Sequence, residues 1–430
     1  MTGVVQAKRM TLITPLVVFA GLGLVLFRLT DISEIFRVKA TWAMSDFWDV
    51  VYYPVVAFLR GENPYDTQRF LVLYPVTHPF PLYLPAVLLV HLPIGLLSAQ
   101  TASTAYFALT VVLTFLLVFI CLYFSKINVT LTHVFFLGGL LLLSRPGHWN
   151  LLLGQPTLQV VLASYVALHF SRYSAITSAI GIAVSMIKPT FGIPLATLMV
   201  AQGYVRPVLY SAGITIPINL FLLTALIYRA GGIEHFLQGL IGNYHVWQSD
   251  IVVNPALSII AIDTNTFISH FIGRSLDHIV QLALLILMLG VASWTLRPTG
   301  RPDDERFQAL SIGIVCLATL LSVHHQAYDL LLLTLPFIGL VYHRFPPAFY
   351  SSYRYGLSVG LLTILALNYA STHSIVPFVQ PASGLWLVLV SINSATLLTL
   401  FCIWVHAAHT MRLGLCNSIH PSIGSSVAHG

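Results

Sequence analysis

The sequence predicts an all-α, polytopic membrane protein, and three observations lead there. Of the 430 residues 57% are apolar and only 8% are charged, whereas a soluble globular chain carries roughly a quarter charged residues. The mean hydropathy is +0.85. Apolar runs of about 20 residues, the length that crosses a bilayer as a helix, recur along the whole chain. They are read as helices because an open sheet in lipid leaves its edge N–H and C=O groups unsatisfied. This composition excludes a water-soluble enzyme, a disordered chain and a free nucleic-acid binder.

The first apolar run, Thr11 to Leu29, follows Lys8 and Arg9. It is too long for a signal-peptide core and no small-residue cleavage site follows, so it reads as a retained helix with a cytoplasmic N-terminus. Residues 30–79 form the largest piece outside the membrane. Within it Asp46 to Arg60 (DFWDVVYYPVVAFLR) mixes aromatic and polar residues and reads as an amphipathic helix at the membrane surface. Gly61 and Asn63-Pro64 end it.

Further spans are expected near 102–124, 151–171, 207–228, 276–295, 307–323, 329–343, 355–371 and 384–406. Shorter or Pro-interrupted segments lie near 80–98, 131–144, 174–187, 190–204 and 256–272, for a total of about ten to thirteen helices. Residues 1–410 thus form a single transmembrane domain. The stretch 411–430, rich in Ser, Gly and His, reads as a disordered cytoplasmic tail.

Orientation follows from the basic residues. The formal charge is +6, and Lys126, Arg172, Arg206, Arg297, Arg301, Arg306, Arg344, Arg354 and Arg412 fall on one side of a simple zigzag. This is the cytoplasmic side, and the excess charge needs no nucleic acid to explain it. The outer side holds 30–79, 229–256 and short turns at 145–156, 188, 324–328 and 372–383. All the acidic residues except Asp303, Asp304 and Glu305 fall there too. One count stays open. An even number of spans must separate 30–79 from 145–156, yet three apolar segments do. Either 80–98, with Pro81, Pro85 and Pro93, is broken or re-entrant, or 131–144 is too short to span.

Cys121, Cys316, Cys402 and Cys416 show no CxxC or Cys/His spacing, so neither a disulfide framework nor a zinc site is indicated. The polar residues at the outer boundary are more informative. Asp46, Asp49 and Tyr53, spaced i, i+3, i+7, share one face of a helix. A carboxylate in partly apolar surroundings there suits a general base; a helix cap explains the same residue without chemistry. Lys188-Pro189 interrupts an apolar run. The residue before proline leaves the helical region and proline starts a new helix, so a cation sits beside fresh N–H groups, a ready anion site; a snorkelling lysine is the plain alternative. Gly154-Gln155-Pro156 opens the next long helix, and Gln155 can hold a hydroxyl-rich ligand. The cluster His324, His325, Tyr328 and Asp329 lacks good metal spacing, but its imidazoles suit phosphate oxygens. His78 begins the Pro-rich segment and reads as a cavity wall or a rigid turn.

The order of these motifs is familiar: an acidic DFWD…YYP…NPYD segment (Asp46 to Asp66), HPFPLYLP, a GQ-led helix, IKP, NPALS (Asn254 to Ser258) and HHQAYDLLLLTLP. Over roughly residues 11 to 345 the chain resembles the GT-C glycosyltransferases, in particular glycosyltransferase family 87, the polyprenol-phosphate-mannose-dependent mannosyltransferase-like proteins. The resemblance implies a GT-C type membrane fold with the active site on the extracytoplasmic face of the plasma membrane. It implies a polyprenyl-phosphate-sugar donor, mannose by default, and a glycolipid or glycan acceptor, both met at the membrane lipid. It implies catalysis by Asp46 or Asp49, with Asp46 preferred because it precedes Phe47. Lys188, His324, His325 and Arg60 are then expected at the donor phosphate. Tyr53, His78, Gln155, Tyr328 and Asp329 are expected around the substrates. No cofactor and no metal is implied, although an acidic pair is able to bind one. Two competing readings are a transporter or lipid flippase with its site at the Lys188-Pro189 break, and a scaffold whose polar residues merely cap helices.

Overall fold

The computed structural model describes residues 13–27, 43–297, 305–350, 353–372, 375–380 and 383–419. Lys8, Arg9, the part of the first loop before residue 43 and the last residues of the tail lie outside them. Among the described residues the fold is all helical. The only β-type pairing is a single bridge between Ala261 and Gln326.

Helix α1 is Ile13–Phe27 and α2 is Phe47–Leu59. The first part of α2, Phe47–Tyr52, is wound as a π-helix, where a plain amphipathic α-helix was expected. Its buried Phe47, Val50, Val51 and Tyr52 pack with Ala102 and Tyr106. Helix α3 is Thr67–Leu73, capped by Asp66. Then come α4, Ala86–Val90, and α5, Leu92–Gly95. At 1.5 Å per residue these two are roughly 6–8 Å long, far short of the ~30 Å hydrocarbon core. Pro85 and Pro93 break the segment into single turns, so 80–98 does not cross.

The broken reading of 80–98 therefore holds. Two helices remain between the first loop and residue 144: α6, Ala99–Phe124, and α7, Leu131–Leu143. Next is α8, Arg145–Leu153, where the sequence suggested a turn. Ser144 accepts a hydrogen bond from Gly147 N at 3.2 Å to start it, and Gly154, at φ +69°, ends it. All nine residues of α8 are buried. Its Arg, His, Trp and Asn make it read as polar, so an interior helix was missed.

The chain continues through α9 (Thr157–Phe170), α10 (Ala175–Ser185), α11 (Pro189–Ala201) and α12 (Val205–Arg229). Helix α13 is Ile233–Ser249. The segment near 256–272, expected as a short apolar span, is a loop followed by α14, Thr264–Ile272. Nine residues capped by Asp263 do not cross. Helices α15 (His278–Leu296), α16 (Glu305–Ser322), α17 (Ala327–Val341, its first part 3-10), α18 (Pro347–Tyr350), α19 (Tyr353–Leu367) and α20 (Gly384–Ile419) complete the fold. Helix α20 continues past Met411, where the tail was expected to begin.

Five of the described helices, α6, α12, α15, α16 and α20, are long and apolar enough to cross a membrane singly. The largest buried cluster joins α9, α11, α16, α17 and α20, through Leu168, Phe191, Leu317, Leu331 and Trp404 among others. Helix α12 turns Leu209, Ile216, Leu220 and Phe221 outward. Such exposure is expected where the solvent is hydrocarbon. The chain is an integral membrane protein.

The polar contacts at the helix ends fall into two groups. At one end Lys126 pairs with Glu305, Arg344 Nη2 donates to Lys126 O at 2.6 Å, and Arg412 Nη1 donates to Trp294 O at 3.0 Å. At the other end residues 43–49, 77–78, 155, 188, 250, 263 and 324–329 meet.

Candidate active site

The site is built where α2 docks on a broken helix. Met44 N donates to Leu152 O at 2.7 Å, pinning the start of α2 to the last turn of α8. Gly154 then takes a left-handed conformation that an L side chain rarely adopts, and α9 begins at Thr157. Gln155 therefore projects from a gap between two helices. Its Nε2 donates to Asp46 Oδ2 and also lies 2.9 Å from the Tyr328 hydroxyl. Three chain segments, 46, 155 and 328, are joined through one amide.

Asp46 is half-buried, and its Oδ1 accepts no hydrogen bond from the described residues. It lies in the segment between α1 and α6, outside the helices long and apolar enough to cross a membrane singly. Burial, and then the nearby charge of Asp49, push its carboxyl up to about 7, against weaker pulls from His78, Gln155 and Lys188. A carboxylate tuned near neutrality, with one free oxygen, has the character of a general base.

Asp49 is different. It is 2% exposed, and both oxygens are occupied: Thr77 N reaches Oδ1 and His78 N reaches Oδ2, each at 3.0 Å. The His78 ring adds Nδ1 at 3.2 Å from the same Oδ2, and its Nε2 lies 3.4 Å from Asp250. Trp247 stacks on the imidazole at 5.9 Å. Burial lowers the His78 pKa, but Asp49, Asp250 and Asp46 outweigh it and the net shift is upward. Asp49 thus ties the Pro-rich loop and the end of α13 to α2. Both Asp49 oxygens are thus engaged, whereas Asp46 keeps one free.

Lys188 stands at the break between α10 and α11 in extended backbone, φ −107° and ψ 96°, as a pre-proline residue should. Its ammonium is buried and lies 2.6 Å from Asp329 Oδ1, with the rings of Phe191 and Tyr328 each 5.0 Å away. Thr157 Oγ1 donates to the same oxygen at 3.0 Å. His325 Nδ1 is 2.9 Å from Asp329 Oδ2, and its Nε2 is 3.2 Å from Thr190 O. Asp329 also closes a capping box with Gln326 at the start of α17. Lys188 and His325 are therefore engaged with protein groups.

His324 is the more accessible of the pair, its side chain 33% exposed, with Nδ1 3.5 Å from Asp263. Burial raises the Asp263 carboxyl, but His324 and Thr266 outweigh it, so the net shift is downward.

The structure thus gathers Asp46, Asp49, His78, Gln155, Lys188, His324, His325, Tyr328 and Asp329 at one end of the bundle. It leaves two expected residues apart. Arg60 is exposed at the far end of α2, over the Tyr74 ring at 5.8 Å. Tyr53 belongs to an aromatic group with Trp48, Tyr52 and Tyr74, because the π-helical winding changes the register that placed it beside the acids. Sequence reasoning missed Asp250, Asp263 and Thr157, which hold His78, His324 and Asp329. The only signal for them was their position on the same predicted side. Among the described residues no three His, Cys, Asp or Glu side chains gather as a metal site.

No curated protein and no solved structure matches the chain. A family model does: that of glycosyltransferase family 87 matches residues 82–323, more than half of the sequence. The match takes in the broken helix at Gln155 and the Lys188-Pro189 break. It begins after Asp46 and Asp49 and ends just before His324. With the membrane-embedded helical fold, it establishes that this chain belongs to glycosyltransferase family 87.

Proposed function

We propose that the protein transfers a sugar, with mannose the first candidate, from a polyprenyl-phosphate donor to a glycolipid or glycan acceptor at the extracytoplasmic face of the plasma membrane. The observation that carries this reading is the Asp46 carboxylate. It is half-buried, raised toward neutrality and held by Gln155 on one oxygen, leaving the other free.

In the proposed step Asp46 takes the proton of an acceptor hydroxyl. The acceptor oxygen bonds to the anomeric carbon as the bond from that carbon to the phosphate oxygen breaks. The leaving polyprenyl phosphate carries away the electron pair. A phosphate ester is a good leaving group, so no acid on the protein is essential, and the single displacement inverts the anomeric centre. Base catalysis of this kind contributes typically 10²–10⁴-fold. Tyr328 and Gln155 fix the acid in place, and Asp49 and His78 hold the adjoining loop. Lys188 and His325 act at one remove, through Asp329. His324 lies beside Asp263 with part of its side chain exposed but both ring nitrogens buried. The choice of a polyprenyl donor, and of mannose, draws on the motif resemblance.

The test is a transfer assay with purified protein in lipid, radiolabelled polyprenyl-phosphate-mannose and a membrane lipid extract, run beside Asp46→Asn and Asp49→Asn. Labelled product that disappears in Asp46→Asn supports the reading. Product made at the wild-type rate by Asp46→Asn overturns the assignment of the base.

A further inference from the structure

A cavity of about 280 Å³ lies where α6, α9 and α17 end and α16 begins. This is the far end of α6 from Ala102 and Tyr106, which pack against α2 and the Asp46 region. Lys126, Arg306 and Arg344 line the cavity, and Glu305 is the acid among the described residues of its wall. His169 lines it too, its ring stacked on Phe124 at 3.8 Å. Ile312, Leu335 and Phe345 form the apolar part of the wall.

Basic residues near a membrane boundary are common, and a scattered set simply faces water. These three are instead drawn onto one cavity from distant parts of the chain. Arg344 Nη2 donates to Lys126 O at 2.6 Å across 218 residues. Lys126 is held there in left-handed backbone at φ +54°, a conformation that a residue with a Cβ adopts only at a cost. Arg344 Nη1 makes no hydrogen bond among the described residues and is not buried. Lys126 pairs with Glu305, but both side chains are more than half exposed. Such a pair is weak, so the carboxylate can give way to a stronger anion. Three cations against one acid leave the described wall with a positive excess, and a cleft lined by one sign of charge concentrates counter-ions.

We propose that this cavity binds a phosphomonoester dianion, with Arg344 and Lys126 on its oxygens and Glu305 displaced from Lys126 as it enters. A guanidinium fork and an ammonium both suit phosphate oxygens. The volume lies just below the usual ~300–1,000 Å³ of ligand pockets, enough for a phosphate and a small substituent and too little for a whole nucleotide. Helices α6 and α16 are each long and apolar enough to cross a membrane, so the cavity at their ends lies at a membrane boundary. A lipid headgroup and a free phosphate can both reach it, and they present the same group. The site shares no residue with the Asp46 cluster and does not depend on sugar transfer.

The test is thermal unfolding of the purified full-length protein in one detergent at about pH 8, where a phosphomonoester carries close to two charges. Inorganic phosphate and dihexanoyl phosphatidic acid are titrated separately, with sodium chloride at equal ionic strength as the control. A saturable rise in the unfolding midpoint is expected with the phosphates and not with chloride. Tighter binding of phosphatidic acid would make the occupant a lipid headgroup, and equal or tighter binding of inorganic phosphate would make it a free anion. Arg344→Gln is expected to weaken binding about tenfold or more, the loss of a charge-assisted contact. Glu305→Gln is expected to tighten it about two- to fivefold, because the internal competitor is gone. It changes an exposed side chain and decides the matter if Arg344→Gln fails to fold. An ion pair that is merely structural predicts a lower midpoint in Glu305→Gln with no gain in affinity, and that result would overturn the site. So would the absence of a saturable response in the wild type, or wild-type affinity in Arg344→Gln. Equal affinity for dihexanoyl phosphatidylglycerol, a singly charged phosphodiester, would overturn the dianion assignment.

Discussion

Lys188 Nζ lies 2.6 Å from Asp329 Oδ1, so a lysine at the start of a membrane-embedded helix is neutralised by a carboxylate from the first turn of the distant α17. The same carboxylate holds Thr157 and His325. One acid thereby locks α9, the α10–α11 break and the start of α17 into a single arrangement.

Removing one partner of this pair leaves a buried charge alone. Asp329→Ala is expected to destabilise the protein by about 3–5 kcal/mol, and the double change Lys188→Met with Asp329→Leu by clearly less, since the desolvation cost disappears with both charges. Thermal unfolding in a fixed detergent, followed by the loss of soluble monomer, checks the order of the two. A double variant less stable than Asp329→Ala would contradict the pairing.

Asp46→Asn keeps the Gln155 neighbourhood nearly isosteric but cannot take a proton. Transfer is expected to fall by 10²-fold or more with expression and unfolding temperature unchanged. Initial rates at saturating donor and acceptor measure it.

The pH dependence follows from the same acid. Its carboxyl is raised to about 7, and the active form is deprotonated, so the rate is lost as pH falls through about 7 and reaches its plateau above it. Asp49 contributes to raising it and Gln155 to lowering it. Asp49→Asn is therefore expected to move the ascending limb to lower pH, and Gln155→Leu to move it higher while also reducing kcat. Rate profiles between pH 5 and pH 9 (on the order of two units either side of neutrality) distinguish these shifts from a general loss of fold, which would lower the plateau without moving the limb.

Gly154→Ala meets two obstacles. The backbone there is left-handed at φ +69°, and a new Cβ would lie 2.7 Å from the Phe47 Cβ. A destabilisation of about 1–2 kcal/mol is expected from the backbone strain alone. The Asp46–Gln155 contact should loosen with it, so that kcat falls more than donor KM rises. Unchanged kinetics would show that α2 can shift without cost to the site.

Much of this arrangement was legible from local chemistry. Proline after Lys188 marked the α10–α11 break, Pro85 and Pro93 marked a segment unable to span, and the zigzag of basic residues placed 46, 155, 188 and 328 together. What escaped depended on pairing across the chain. The neutralisation of Lys188 by Asp329, and the partnering of His78 with Asp250 and of His324 with Asp263, have no local pattern. Helix α8 was hidden because Arg145, His148 and Asn150 look like loop residues until they are seen to be interior. The π-helical turn over Phe47–Tyr52 has no composition of its own, and it moved Tyr53 out of the site.

The connection through Gln155 also sets an order of assembly. Its amide reaches back 109 residues to Asp46 and forward 173 residues to Tyr328, while Lys188 waits for a carboxylate 141 residues further on. As the chain leaves the ribosome from its N-terminus, the first loop can dock on α8 and α9 early, through Met44 and Gln155. The far wall arrives only once α17 has been made. Until then Lys188 has no counter-ion and Gln155 only one partner. A nascent chain stopped before residue 327 would hold Asp46 against Gln155 yet lack Tyr328 and Asp329, so the cluster is completed only after α17 has been made.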